Sequence, residues 1–254
     1  MEYIVFDLEF NQGFDRKLNK TVSNEKCPFE IIQIGAVKLD SNLEIIDTFN
    51  TFVKPHIYKE IHPFIKKMTN ITNEDVRNAP CFSEAFNMFK SFINNENNIL
   101  CVWGSGDLKE LYRNINYYNL SIDNLSSTYI NVQHHASVYF KNPSGKSIGL
   151  QNAITLLELN EDKSYHNALN DAYYTSLVFQ NIFNDEIETK KYNFDNDDKK
   201  IPVAKRKVNY DSIFGEFKKI LNRDLNKEEK KIIHLAYKMG RRSKSSTEKN
   251  NLKD

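Results

Sequence analysis

The stretch Ile4 to Asn11, IVFDLEFN, finishes an apolar run with two acids, Asp7 and Glu9. A β-strand alternates faces with a period of two, so Tyr3, Val5, Asp7 and Glu9 share one face while Ile4, Phe6, Leu8 and Phe10 share the other. The second face is wholly apolar and has to pack. Two neighbouring carboxylates on a central strand would repel each other and lose hydration, and a divalent cation removes both costs. The alternative is an exposed strand end, where both acids stay in water. Further on, CVWGSGDLKELY puts Asp107 just past a second strand, at the start of a helix. Taken alone it reads as an N-cap, a role Asp favours. SYHNALNDAYY puts His166 and Asp171 at the opening of a later helix, where a lone His is ordinarily a cap or a surface residue.

The elements that must position these residues are visible as apolar or alternating patterns. Strands are expected over residues 3 to 10, 30 to 39, 44 to 54, 98 to 104 and 127 to 132. The first three follow one another closely, which predicts an antiparallel meander. Residues 81 to 93 place Phe82, Ala85, Phe86, Phe89 and Phe92 at spacings of three and four, an amphipathic helical stripe. Residues 108 to 120 and 168 to 183 show similar patterns. A meander followed by alternating strand and helix predicts an α/β fold, a mixed sheet with helices packed on it. Residues 185 to 210 lose the apolar periodicity and read as a charged linker or surface-wrapping segment. Two short amphipathic helices, 212 to 221 and 225 to 240, follow, with Gly240 as a stop for the second. The expected domains are therefore 1 to 184, the linker, and a basic helical extension over 211 to 254.

Composition narrows the class of function. Of 254 residues, 40% are apolar and 12% aromatic, with only 8 Gly and 6 Pro, which supports a buried core and argues against disorder. The first residues carry acids and no basic n-region, so they do not read as a signal peptide. No run approaches the ~18 apolar residues of a membrane span. Three scattered cysteines, Cys27, Cys81 and Cys101, suit neither a disulfide framework nor a zinc site, and a cytoplasmic location is expected. The net charge of +1 hides an asymmetry, because residues 1 to 184 carry 16 basic and 21 acidic side chains and the remainder 19 and 13. In that tail Lys205, Arg206, Lys207, Arg241 and Arg242 form either a solvated face or an attractor for a phosphate backbone. NPSGKSIG fails as a phosphate loop, since position 140 is Phe where a Gly is needed. GSG at 104 to 106 is too short for a dinucleotide site, and the adjacent His134 and His135 suit a surface better than one metal.

The set says more than its members. A DxE on the first strand, an Asp after a later strand and an HxxxxD opening the last core helix resemble the DEDDh 3′-to-5′ exonucleases of the RNase-T/DnaQ-type superfamily. EIIQIGAVKLD, FNTFVKPHIYKEIHPFIKKMTNITNEDVRNAPCFSEA and VWGSGD extend the resemblance over residues 1 to 184, nearest the histone-mRNA-exonuclease-like and bacterial sporulation-inhibitor-like branch. It implies a ribonuclease-H-like fold, a mixed five-stranded sheet flanked by helices. It also implies two Mg²⁺ or Mn²⁺ ions held by Asp7, Glu9, Asp107 and Asp171, oxygen ligands of the kind hard cations take. Asp7 would bridge the ions, Glu9 and Asp171 would complete the nucleophile side, and Asp107 would act on the other ion. His166 would be the general base, and 3′ ends of single-stranded RNA or DNA would release nucleoside 5′-monophosphates. Leu8, Phe10, Met68 and Thr69 would line or wedge the terminal nucleotides, with core packing the alternative for Met68 and Phe10. Asn70 stands where the family often has Gly in LTGIT, and Asn tolerates a left-handed backbone better than most residues. A proofreading or repair exonuclease and a non-catalytic regulatory module that binds nucleic acid or protein on the same fold are the competing readings.

Overall fold

Strand β1 (Tyr3–Asn11) is the axis of the structure. It continues into a small hairpin, β2 (Gly13–Asp15) and β3 (Lys20–Val22). β1 pairs antiparallel with β4 (Glu30–Leu39) on one side and parallel with β6 (Ile99–Val102) on the other. β5 (Ile45–Phe52) extends the sheet antiparallel beyond β4, and β7 (Thr128–Asn131) extends it parallel beyond β6. The two-residue β8 (Lys190–Lys191) closes the far edge, so the order is β5-β4-β1-β6-β7-β8. This computed structural model describes residues 1–94, 97–123, 125–142, 146–193 and 210–236. The chain divides into two compact units, Met1–Lys199 and Lys200–Asp254.

The alternation along β1 sorts the core into two layers. Ile4, Phe6 and Leu8 join Ile34 and Ala36 under helices α3 (Phe82–Ile93) and α4 (Gly106–Tyr117). Tyr3 and Val5 join Val37 and Cys101 under α5 (Val132–Tyr139), α6 (Leu150–Leu156) and α7 (Ala168–Ile182). Four of the five residues of the α3 stripe are buried, while Phe92 is only partly so. Two short helices, α1 (Pro63–Thr69) and α2 (Asn73–Arg77), cover the end of β4 through Ile61, Ile65, Ile71, Val76 and Ile32.

The expected α/β architecture, a mixed sheet flanked by helices, is the one observed. The sheet gains a sixth strand from the stretch read as linker. Lys190 and Lys191 pair with Tyr129 and Thr128, and Tyr192 stacks on Tyr112 at 4.8 Å. Two lysines suit an exposed edge, which charge protects from further pairing. Helix α4 starts at Gly106, earlier than its apolar pattern suggested, because Gly106 and Asp107 form its polar first turn. The β2–β3 hairpin and helices α1, α2, α5 and α6 were not anticipated. In the second unit α8 (Tyr210–Leu221) and a helical stretch over 227–236 stand where two helices were expected. Gly240, Lys205, Arg206, Lys207, Arg241 and Arg242 lie outside the described residues. The three cysteines are free, and no helix among the described residues is long and apolar enough to cross a membrane.

Candidate active site

The acids of β1 face the α7 side of the sheet, and the residues opposite them on β4 decide how near α7 can come. Asp7 is paired with Gly35 and Glu9 with Gln33. A Cβ on Gly35 would sit 2.1 Å from the Leu169 nitrogen and 2.2 Å from the Ala168 carbonyl carbon, so only Gly admits the first turn of α7 here. Gln33 ties that turn down: its Oε1 accepts from the Ala168 N–H at 3.2 Å while its Nε2 donates to Asn50 at 3.0 Å. Asn167 caps α7 by accepting from the Asn170 N–H. Just before it, His166 adopts φ 61°, and its N–H donates to Asp171 Oδ2 at 3.0 Å. This tight turn brings Asp171 and the exposed His166 ring to β1, where one ligand atom each of Glu9, His166 and Asp171 lie within 4.8 Å of one another.

Asp107 arrives from the other layer. Gly104, at φ 96°, turns the chain out of β6, and Ser105 occupies the N-cap of α4. Asp107 therefore sits inside the first turn and is not the cap, the ordinary role open to it from sequence.

The electrostatics of the group are those of a site built for positive charge. Burial pushes the Asp7 carboxyl well above its usual range, reinforced by the charges of Asp107, Asp171 and Glu9. Burial and the same neighbours raise Glu9 to about 8, and burial raises Asp107 to about 7. Asp171 is raised by burial to about 6, restrained by the His166 N–H. Its Oδ1 is buried with no hydrogen-bond partner. Four carboxylates gathered here, with Asp171 Oδ1 left without a donor and Asp7, Glu9 and Asp107 raised further by neighbouring acids, fit hard divalent cations, which take oxygen ligands.

The expected substrate-lining residues divide. Leu8 is 3% exposed and packs with Phe6 in the α3–α4 layer. Thr69 is buried, and its hydroxyl donates to the Ile65 carbonyl and accepts from the Ile71 N–H, which completes the turn after α1. Both side chains are thus engaged by the fold. Phe10 and Met68 keep partial exposure, Phe10 edge-on to Phe29 at 6.4 Å and Met68 against the Ile65–Ile71 cluster. Asn70 takes φ 61° as the C-cap of α1, the left-handed geometry a Gly would supply. His134 and His135 lie on α5, exposed and half-buried. Sequence reasoning missed Gly35 and Gln33. A Gly interrupting an otherwise bulky strand was the available signal for the first.

The sequence profile of the RNase T exonuclease family matches residues 4–179. The chain belongs to the RNase T exonuclease family. As such it is a hydrolytic nuclease of the RNase-T/DnaQ-type superfamily, whose members generally use divalent metals. This exonuclease is 40% identical over 91 residues to a PolC-type DNA polymerase III of Caldanaerobacter subterraneus subsp. tengcongensis, 36% of this chain and 6% of that protein. It thus spans a small fraction of that relative's length. Its fold resembles the nuclease domain of 3′hExo, a DEDDh family member bound to rAMP, at 20% identity and TM-score 0.63, covering 76% of this chain and 96% of the other. Escherichia coli Exonuclease I in complex with a dT13 oligonucleotide gives 16% identity and TM-score 0.55, covering 71% and 40%. At such identities the likeness is one of fold.

Proposed function

We propose that this exonuclease is a divalent-metal-dependent 3′-to-5′ enzyme that removes nucleoside 5′-monophosphates from single-stranded nucleic acid. The observation that carries the reading is the convergence of Asp7, Glu9, Asp107 and Asp171 with His166 at the end of one central strand, with proton affinities raised by burial and, for Asp7, Glu9 and Asp107, by neighbouring acids as well. The four carboxylates would hold the cations. Once bound, these would acidify the attacking water and offset charge on the phosphate in an in-line displacement.

The remaining chemistry falls to the chain. His166, with its backbone held by Asp171 and its ring exposed at the mouth of the site, takes the proton of the attacking water, a task suited to an imidazole near neutral pH. The water oxygen forms a bond to phosphorus and the bond to the 3′ oxygen of the preceding nucleotide breaks. That oxygen leaves with the bonding pair and takes a proton from solvent to become a hydroxyl, and the terminal nucleotide departs as a 5′-monophosphate. A base must enter unpaired to be read singly, which favours single strands. Support for nucleotide and strand binding comes by analogy with the neighbours of like fold bound to rAMP and to dT13 respectively.

Matched 5′-labelled single strands of RNA and DNA, incubated with Mn²⁺, Mg²⁺ or EDTA, test the reading. A ladder of 5′-labelled products shortening one nucleotide at a time, absent in EDTA, is expected, and the faster strand gives the sugar preference. Intact strands with folded, metal-supplied protein would favour the non-catalytic module.

A further inference from the structure

Residues 1 to 184 are acidic as a whole, yet two segments beside the acid cluster reverse that sign. Residues 13–26 and 54–67 carry eight Lys and Arg side chains, all exposed, against three acids. The rest of the first 184 residues holds eight basic and 18 acidic. The two segments form one body. Tyr58 donates its hydroxyl to the Cys27 carbonyl and accepts from the Asn24 N–H at 2.8 Å. Arg16 pairs with Glu60 at 2.6 Å, and His62 meets Thr21 at 3.2 Å and the Phe14 ring edge-on at 4.7 Å. A surface cavity of about 290 Å³ lies between hairpin and loop, lined by Phe14, Arg16, Tyr58 and Lys59 among others.

The body is fixed to the catalytic strand. Asn11, the last residue of β1, accepts from the His62 N–H at 2.9 Å and donates to the Glu60 carbonyl at 3.0 Å. A Cβ on Gly13 would come within 2.8 Å of the Tyr58 ring, so the hairpin lies flush on the loop. Gly13 follows Glu9 by four residues, a span of no more than about 14 Å even if fully extended.

We propose that this hairpin-and-loop patch holds the phosphodiester backbone of the single strand a few nucleotides upstream of the bond being cut. The proposal rests on the nuclease reading of the acid cluster. Exposed cations attract the polyanion, and the half-exposed Phe14 and Tyr58 rings line the cavity beside them, so that cations and aromatic rings adjoin as they do in single-strand grooves. The same arrangement resolves a physical difficulty: an acidic catalytic end repels its own substrate unless positive charge nearby compensates.

The test compares the triple variant Lys17→Gln/Lys20→Gln/Lys59→Gln with a charge-matched control, Lys90→Gln/Lys141→Gln/Lys146→Gln. Binding of a fluorescent 15-nucleotide single strand is followed by anisotropy across a salt series in EDTA, so that nothing is cut. The patch variant is expected to bind about 10-fold more weakly, with the slope of log affinity against log salt reduced by about 2, the change for three lost phosphate contacts. The control should keep the wild-type slope. In Mn²⁺, the ratio of kcat/KM for the 15-mer to that for a dinucleotide should fall in the patch variant by a similar factor. An unchanged salt slope in the patch variant, or an equal loss in the control, overturns the proposal. If wild type binds through the patch but never degrades the strand, the nuclease reading fails while the patch stands.

Discussion

Two settings of carboxylates in the first unit contrast. Glu30, at the start of β4, is 1% exposed, and its oxygens accept from three successive backbone amides, His56, Ile57 and Tyr58, and from the Tyr118 hydroxyl. Asp7, Glu9, Asp107 and Asp171 instead face one another, and a buried oxygen of Asp171 has no donor. A buried charge persists when dipoles surround it, as around Glu30. Where four acids gather and one buried oxygen has no donor, the partner under the proposed function would be a cation. The difference separates an acid that anchors a loop from the acids proposed to do chemistry.

Breaking the reactive side should give the largest effect. Asp7→Asn is expected to lower kcat on the order of 10³-fold, since it removes charge stabilisation in the reacting centre. The same substitution should raise the melting temperature of the metal-free protein by relieving repulsion, and calorimetry together with the ladder assay reads both. His166→Asn should cost about 10²–10³-fold in kcat with little change in melting temperature, because the ring is exposed and its loss is that of a general base.

On the anchoring side the cost should fall on stability. Glu30→Gln turns an amide group toward the waiting N–H donors and should lose about 2–4 kcal/mol in urea unfolding. The folded protein should still bind Mn²⁺ as wild type does. Gly35→Ala should cost about 1–3 kcal/mol, as overpacking does, and should slow turnover by pushing α7 off Asp7.

The smallest effect is the pH dependence of the metal-free fold. Folded-state values near 8, 7 and 6 for Glu9, Asp107 and Asp171 exceed the ordinary carboxylate range, so the folded state binds these protons more tightly. The stability they contribute is present below the unfolded values and is lost as pH rises through about 6 to 8. Melting in EDTA should therefore fall between pH 6 and 8.5, and Mn²⁺ should stabilise more at the upper end. A flat profile would mean that the four acids are as well satisfied as Glu30.

These contrasts also explain what could be read from the sequence. β1 was legible because strict alternation put an unbroken apolar face opposite the acids, and the α3 stripe because its aromatics repeat at helical spacing. Helices α5 and α6 were not, since each buries only two residues and carries too little apolar periodicity to announce itself. The catalytic candidates are named by side-chain type and order. Gly35 and Gln33 act by letting one backbone approach another, which no local pattern encodes. Leu8 and Thr69, expected beside the substrate, also carry packing and turn contacts that their side-chain types alone do not announce.

The most direct measurement is Mn²⁺ titration of metal-free protein by calorimetry at pH 6.5 in buffers of different ionisation enthalpy, for wild type and Asp7→Asn. Binding to wild type should be accompanied by proton release, because raised carboxylates must deprotonate to become ligands, and should be weakened or lost in the variant. Binding without proton release, or binding that Asp7→Asn leaves untouched, would contradict the assignment of these acids as the metal site.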